Sequence, residues 1–129
     1  MIDHISIAVR DLKSAEAFYG SLLAPLGMTK LREWPDAAVG YGKKYPEFWI
    51  NKRPGMDAVA ADSGVHICLR APDEPAVDAF HDAALKAGGT SDGGPGLRPE
   101  YHGGYYAAFV KDPDGNRIEA VTFANTPTA

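Results

Sequence analysis

The sequence predicts an α+β fold of two tandem βαβββ modules that form a cupped mixed sheet, with the helices on its outer face. Two stretches alternate with a period of two, Ile2 to Val9 and Val65 to Arg70, as half-buried strands do. Each is followed by a capped, amphipathic, helix-like segment. A shift of 62 residues carries His4 onto His66, Ile5 onto Ile67, Ile7 onto Leu69, Phe18 onto Phe80 and Gly27 onto Gly89. A faint repeat that stays in register across different elements points to a duplicated unit. The 129 residues fit one domain. The expected division is module one at 1–56, a connection at 57–64, module two at 65–123 and a frayed tail at 124–129.

In the first strand Ile5, Ile7 and Val9 share one face, and His4, Ser6 and Ala8 the other. Asp11 is placed to cap a helix whose stripe is Ala15, Phe18, Tyr19, Leu22 and Leu23, and Pro25 and Gly27 end it. Strands are expected near Lys30–Trp34, Ala37–Tyr41 and Glu47–Ile50, with Asn51 to Gly64 as a connection. In the second half His66, Cys68 and Arg70 share a face opposite Val65, Ile67 and Leu69. Asp73 caps a helix with Pro75 in its first turn and Val77, Phe80 and Ala84 on its stripe; Gly88-Gly89 stops it. Gly93-Gly94-Pro95-Gly96 reads as a loop running on to Gly104, and not as a phosphate loop, since it neither follows a strand nor opens a helix. Tyr105 to Val110 and Arg117 to Phe123 read as strands joined by the turn Asp112-Pro113-Asp114-Gly115-Asn116.

Apolar residues make up 45% and charged residues 23%, a globular balance. A net charge of −4 and the absence of a basic patch argue against nucleic acid as a partner. The apolar runs are far too short for a membrane span. The N-terminus enters a strand pattern without a charged leader and apolar core, so a cytoplasmic protein is expected. The single cysteine, Cys68, excludes a disulfide framework and reads as a small buried apolar residue.

If the larger apolar sets pack under the helices, His4, His66 and Glu119 all point into the cup. A buried carboxylate costs several kcal/mol unless it is paired or holds a metal. Two imidazoles and one carboxylate make a three-ligand set with open coordination positions, suited to Fe2+, Zn2+, Mn2+, Co2+ or Ni2+. Such positions allow a bound water or substrate oxygen to be activated. The spacing alone would be a weak signal; the repeat gives the two histidines a reason to meet.

The opening Ile2-Asp3-His4-Ile5-Ser6, then Asp11-Leu12, Phe18-Tyr19 and Leu26-Gly27, and the ending Asp112-Pro113-Asp114-Gly115-Asn116-Arg117-Ile118-Glu119 resemble the vicinal oxygen chelate superfamily over nearly the whole chain. That group includes glyoxalase I, extradiol dioxygenases, fosfomycin-resistance thiol transferases and metal-free bleomycin-binding proteins. Tyr41-Gly42, Pro46 to Ile50, Gly96 to Pro99 and Tyr105-Tyr106 look like a bacterial subgroup. The resemblance implies a metal held by His4, His66 and Glu119, with the fourth ligand position of glyoxalase I falling near Ile50, which cannot ligate. The active-site tyrosine of the dioxygenases falls on Phe109. The thiol transferases present a cationic cup, to which Arg98, Arg117 or Lys111 could contribute. The implied function is a metal-dependent glyoxalase/dioxygenase-like enzyme acting on a small oxygen-rich molecule: a lyase or isomerase, a thiol transferase or a dioxygenase. The alternative is a small-molecule or antibiotic binding protein, of the fosfomycin- or bleomycin-resistance type, without turnover. A homodimer is implied, with modules that can be exchanged between chains so that His4 faces His66 and Glu119 of the other copy.

Further candidates sit in the loop Arg98 to Tyr105. His102 is placed to act as an acid or base at the mouth of the cup, and Tyr105 to orient substrate beside the catalytic Glu119. The plain alternatives are a surface loop and a packed aromatic with a wet hydroxyl. Trp34, Tyr41, Phe48 and Trp49 read more readily as core than as a ligand wall.

Overall fold

In the computed structural model, which describes residues 1–123, each half of the chain runs strand, helix, three strands. Module one comprises β1 (Ile5–Val9), α1 (Leu12–Leu23), a 3-10 turn (Ala24–Leu26), β2 (Thr29–Trp34), β3 (Ala38–Gly42) and β4 (Phe48–Lys52). Module two comprises β5 (His66–Arg70), α2 (Glu74–Lys86), β6 (Thr90–Leu97), β7 (Tyr105–Lys111) and β8 (Arg117–Phe123). The expected tail at 124–129 lies outside the described residues.

Local chemistry sets the helix ends. The Asp11 carboxylate accepts from the Ser14 amide at 3.0 Å, and Asp73 from that of Ala76 at 2.9 Å, each satisfying a free donor of a first turn. Gly27 closes the 3-10 turn in the left-handed region at φ 83°. The predicted apolar stripes are buried: Ala15, Phe18, Tyr19, Leu22 and Leu23 on α1, and Val77, Phe80 and Ala84 on α2, which Ala76 joins.

The sheets have matching topologies, β1-β4-β3-β2 and β5-β8-β7-β6, each with one parallel pair and two antiparallel pairs. Each helix covers one face of its own sheet, and α1 packs against α2, so a single apolar core runs through both modules. The two sheets share no ladder. The other face of each sheet is open, as the alternating exposure of β5 shows, with His66, Cys68 and Arg70 outward. Cys68 is therefore not the buried apolar residue expected: it stands on the open face.

One element differs from the sequence reading. The run expected as a loop at Gly93–Gly96 lies inside β6, an edge strand paired antiparallel to β7. Glycines hide the alternation that marks a strand. Pro95 is tolerated because the register slips between Gly93 and Gly96, at a sheet edge where its missing N–H leaves no ladder bond unmade.

The Asp112–Asn116 turn does more than join β7 to β8. Asp112 is 4% exposed; its Oδ1 accepts from the amides of Asp114 and Asn116, and its Oδ2 from Asn116 Nδ2 and from the Tyr19 hydroxyl of α1. Asn116 Nδ2 also donates to the Ala8 carbonyl at 2.9 Å, and Arg10 Nε to Asp114 Oδ1 at 2.7 Å. The turn thus ties module two to β1 and α1 of module one.

Candidate functional site

Glu119 lies on the open face of β8, in register with Cys68 of β5 on one side and Phe109 of β7 on the other. Its side chain is only 2% exposed. Its Oε1 is 2.9 Å from His66 Nε2, and its Oε2 accepts from the Tyr105 hydroxyl. His66 keeps half of its side chain in solvent, so the pair joins an exposed imidazole to a covered carboxylate. Among the described residues His66 is the only ion-pair partner of Glu119.

Tyr105 comes to Glu119 from two same-face rungs further along β7, where it faces Phe123 and packs edge-on to it with ring centroids 5.3 Å apart. Burial and the Glu119 carboxylate raise its phenol pKa, so it stands as a protonated donor. Cys68 Sγ is 4.0 Å from the same hydroxyl. Although part of its side chain is exposed, desolvation by the surrounding side chains and then the Glu119 carboxylate push its thiol up to about 12, which favours the protonated thiol. The structure thus brings Tyr105, Glu119 and His66 together. It leaves His102 in an exposed bend before β7, without a hydrogen bond among the described residues. Its neighbour Tyr101, itself exposed, is the residue that meets the site, its ring 4.8 Å from that of Tyr105.

A hollow of about 460 Å3 opens beside His66, lined by Phe109, Arg98, Arg117 and Asp92 among others. The cations proposed for an anion cup are largely engaged. Arg98 donates to the carbonyls of Gly96 and Gly94 at 2.9 and 2.7 Å and lies over the Phe109 ring. Arg117 holds the intermodule connection, donating to the carbonyls of Ser63 and Ala61 at 2.6 and 2.7 Å. Its Nε is 3.6 Å from Asp92, and Lys111 Nζ is 4.0 Å from the same carboxylate.

His4 belongs to the other open face. Its Nδ1 is 2.7 Å from Asp3 Oδ1, and it lines a second hollow with Trp34, Tyr45 and Trp49. Among the described residues no three His, Cys, Asp or Glu side chains stand close enough to hold a metal ion. Within one chain, therefore, the structure pairs His66 with Glu119 and keeps His4 apart from them.

The register also moves the fourth ligand position. Cys68 pairs with Glu119, and its repeat counterpart Ser6 pairs with Trp49. Trp49, not Ile50, is thus the first-module equivalent of Glu119; Ile50 is fully buried in the core on the covered face. The aromatic set splits in the same way: Tyr41 and Phe48 are core, whereas Trp34 is 60% exposed on the open face. Sequence reasoning missed Arg32 and Tyr45 beside them, since neither sits in a motif. It also missed the Asp3–His4 pair.

The chain matches the family model of the Glyoxalase/Bleomycin resistance protein/Dioxygenase superfamily over residues 1–120. Among solved structures it resembles a glyoxalase/bleomycin resistance protein from Albidiferax ferrireducens T118, at 30% identity and a TM-score of 0.77, covering 92% of this chain and 95% of that one. A glyoxalase/bleomycin resistance protein/dioxygenase family enzyme from Burkholderia phytofirmans PsJN shares 18% identity with a TM-score of 0.69, covering 93% of this chain and 96% of that one. A lactoylglutathione lyase from Agrobacterium tumefaciens shares 21% identity with a TM-score of 0.63, covering 94% and 92%. The latter two show likeness of fold alone. No curated protein matches. A match over nearly the full chain, with two βαβββ modules behind it, places this protein in the Glyoxalase/Bleomycin resistance protein/Dioxygenase superfamily.

Proposed function

We propose that the protein is a divalent-metal-dependent enzyme acting on a small oxygen-rich molecule, with His66 and Glu119 as two ligands and His4 from a second copy of the chain as the third. The observation that carries this reading is the Glu119 carboxylate: 2% exposed, yet on an open sheet face, held between His66 and Tyr105 with no Lys or Arg paired to it among the described residues. A covered carboxylate on an open face is a natural seat for a cation, and an imidazole at 2.9 Å is the companion donor a divalent ion takes. Asp3 supports the third ligand, because a carboxylate on Nδ1 orients the His4 ring and leaves Nε2 free.

When bound, the metal supplies Lewis-acid polarisation of a substrate oxygen. The chain's own groups then have distinct tasks. Tyr105 stays protonated and can donate a hydrogen bond to a developing oxyanion or to Glu119. Phe109 supplies an apolar wall to the hollow beside His66. A homodimer is part of the proposal, because each copy offers His4 on one face and the His66–Glu119 pair on another.

A second reading, a binding protein without turnover, draws on the same network. His66 and Tyr105 together satisfy both oxygens of Glu119 without any ion. Elemental analysis of protein purified without a chelating tag separates the two readings. The enzyme reading expects a transition metal in constant ratio to the chain, lost in His66→Ala and Glu119→Gln, and activity abolished by chelation and restored by metal. Metal-free protein whose His66→Ala variant binds the same small molecules unchanged would establish the binding protein instead.

A further inference from the structure

The open face of module one holds a hollow of about 360 Å3 around His4. Its walls are Trp34, Trp49 and Tyr45, with Arg32 among the lining. Trp34 is 60% and Tyr45 50% exposed, unusual for large aromatics unless something is meant to cover them. Three features make this a built surface. The register lines up Ser6, Trp49, Gly40 and Arg32 as one rung across β1, β4, β3 and β2. Gly40 lets the Trp49 indole lie against the β3 backbone: a Cβ there would stand 2.9 Å from Cε2 and Cζ2 of Trp49 and from Pro46 Cβ. A register shift between Lys30 and Arg32 changes the phase of β2. Lys30 reaches Glu16 of α1 at 2.7 Å on the covered side, while Arg32 comes to the open hollow. Arg32 has no carboxylate within ion-pairing distance among the described residues, and Asp3, the acid that lines the hollow, is engaged with His4.

We propose that this hollow takes a planar organic anion, an aromatic or conjugated carboxylate, with its ring on the Trp34 and Trp49 indoles and its carboxylate on Arg32. Indole faces favour flat π-systems over puckered rings, and the guanidinium fork matches a carboxylate with two parallel hydrogen bonds. A neutral ring would leave Arg32 unused, and a compact inorganic anion would leave the indoles unused. The inference rests on the metal-enzyme reading and names its substrate class: His4 lines the same hollow, and Trp49 holds the first-module position that corresponds to Glu119 in the second.

The chain has two tryptophans, and both are in this hollow, so intrinsic tryptophan emission reports on it alone. Chelator-treated full-length protein is titrated with benzoate and cinnamate, with cyclohexanecarboxylate as the non-planar acid and benzyl alcohol as the neutral ring. The planar acids quench the emission saturably and bind about tenfold or more tighter than the two controls. Arg32→Gln weakens benzoate binding by about tenfold, and Arg32→Lys recovers part of the loss without the bidentate fork. Gly40→Ala, which presses on Trp49, also weakens it; should that variant fail to fold, the Arg32 pair and the probe series decide. Equal binding of cyclohexanecarboxylate, or unchanged benzoate affinity in Arg32→Gln, overturns the proposal. So does emission that ignores every probe but shifts when a dimer dissociates on dilution, which assigns the hollow to a second copy. Metal content measured before chelation keeps the two ideas separable. Planar-acid binding without metal removes only the enzyme reading, and bound metal without planar-acid preference removes only this one.

Discussion

The Tyr19 hydroxyl on α1 donates to Asp112 Oδ2 at 2.5 Å, joining the helix of the first module to the β7–β8 hairpin of the second. Both groups are buried, and burial raises the pKa of each. Asp112 keeps three other donors, so Tyr19→Phe removes one bond of four. Its expected cost is about 1–2 kcal/mol. Asp112→Ala strips four donors of their acceptor and is expected to cost about 3 kcal/mol or more. Urea unfolding measures both; a Tyr19→Phe midpoint equal to the parent's would mean the link adds nothing to module docking.

Gly89 lies between the end of α2 and β6, where the two modules meet. A Cβ at this position would stand 2.8 Å from the Lys111 carbonyl oxygen, 2.8 Å from Phe18 Cε1 and 3.0 Å from the Ala84 carbonyl oxygen. Two of these are backbone atoms and the third belongs to the core, so none yields easily. Gly89→Ala is expected to destabilise by about 1–3 kcal/mol, whereas Gly55→Ala, with open space around it, leaves the unfolding midpoint unchanged. Equal midpoints in the two variants would show that the junction is looser than its packing implies.

These contacts mark where the sequence was legible. Helix caps and apolar stripes could be read directly, because Asp11, Asp73 and the Phe18 and Phe80 periodicities are local signals. The faces of His66 and Glu119 followed from strand phase in the same way. The edge strand β6 was hidden, because Gly93, Gly94 and Gly96 carry no side-chain pattern and pairing with β7 alone makes them a strand. The counterpart of Glu119 was misplaced by one residue, at Ile50 instead of Trp49, since only the β1–β4 register fixes it. The Asp112–Asn116 motif reads as a turn, yet its intermodule bonds are tertiary and cannot be seen in a linear string.

On the proposed metal-enzyme reading, Tyr105 should be separable from the two candidate ligands beside it. Tyr105→Phe leaves Glu119 Oε2 without its donor in a covered position, at an expected cost of about 1–3 kcal/mol in stability. With His66 and Glu119 left in place, the metal-enzyme reading expects metal stoichiometry to be retained while turnover falls by about tenfold to a hundredfold. Loss of metal together with activity would make Tyr105 a structural prop for the carboxylate and not a donor to substrate.

His81 on α2 makes a bond to Ser91 of β6, with Nε2 2.8 Å from Oγ, and partial burial lowers its pKa below the ordinary histidine value. The folded state therefore favours the neutral ring. The resulting stability is present above the unfolded pKa of about 6.5 and is lost as pH falls through the lower folded value. Urea midpoints measured from pH 7.5 down to 5.5 should fall less steeply in His81→Gln than in the parent. Identical slopes would show that the ring has the same proton affinity in both states.

The separation of His4 from His66 and Glu119 yields the sharpest test of assembly. A His4→Ala chain keeps an intact His66–Glu119 pair, and a Glu119→Ala chain keeps an intact His4. If each centre takes His4 from one copy and His66 with Glu119 from the other, a mixed dimer contains one complete site and one doubly defective site. Co-expressing the two chains with different affinity tags and purifying through both isolates that dimer. It is expected to hold about half the metal of the parent dimer, while either variant alone holds little. A proven mixed dimer with no more metal than its parents would place all three ligands within one chain, which would require module one to swing away from the α1–α2 contact seen here.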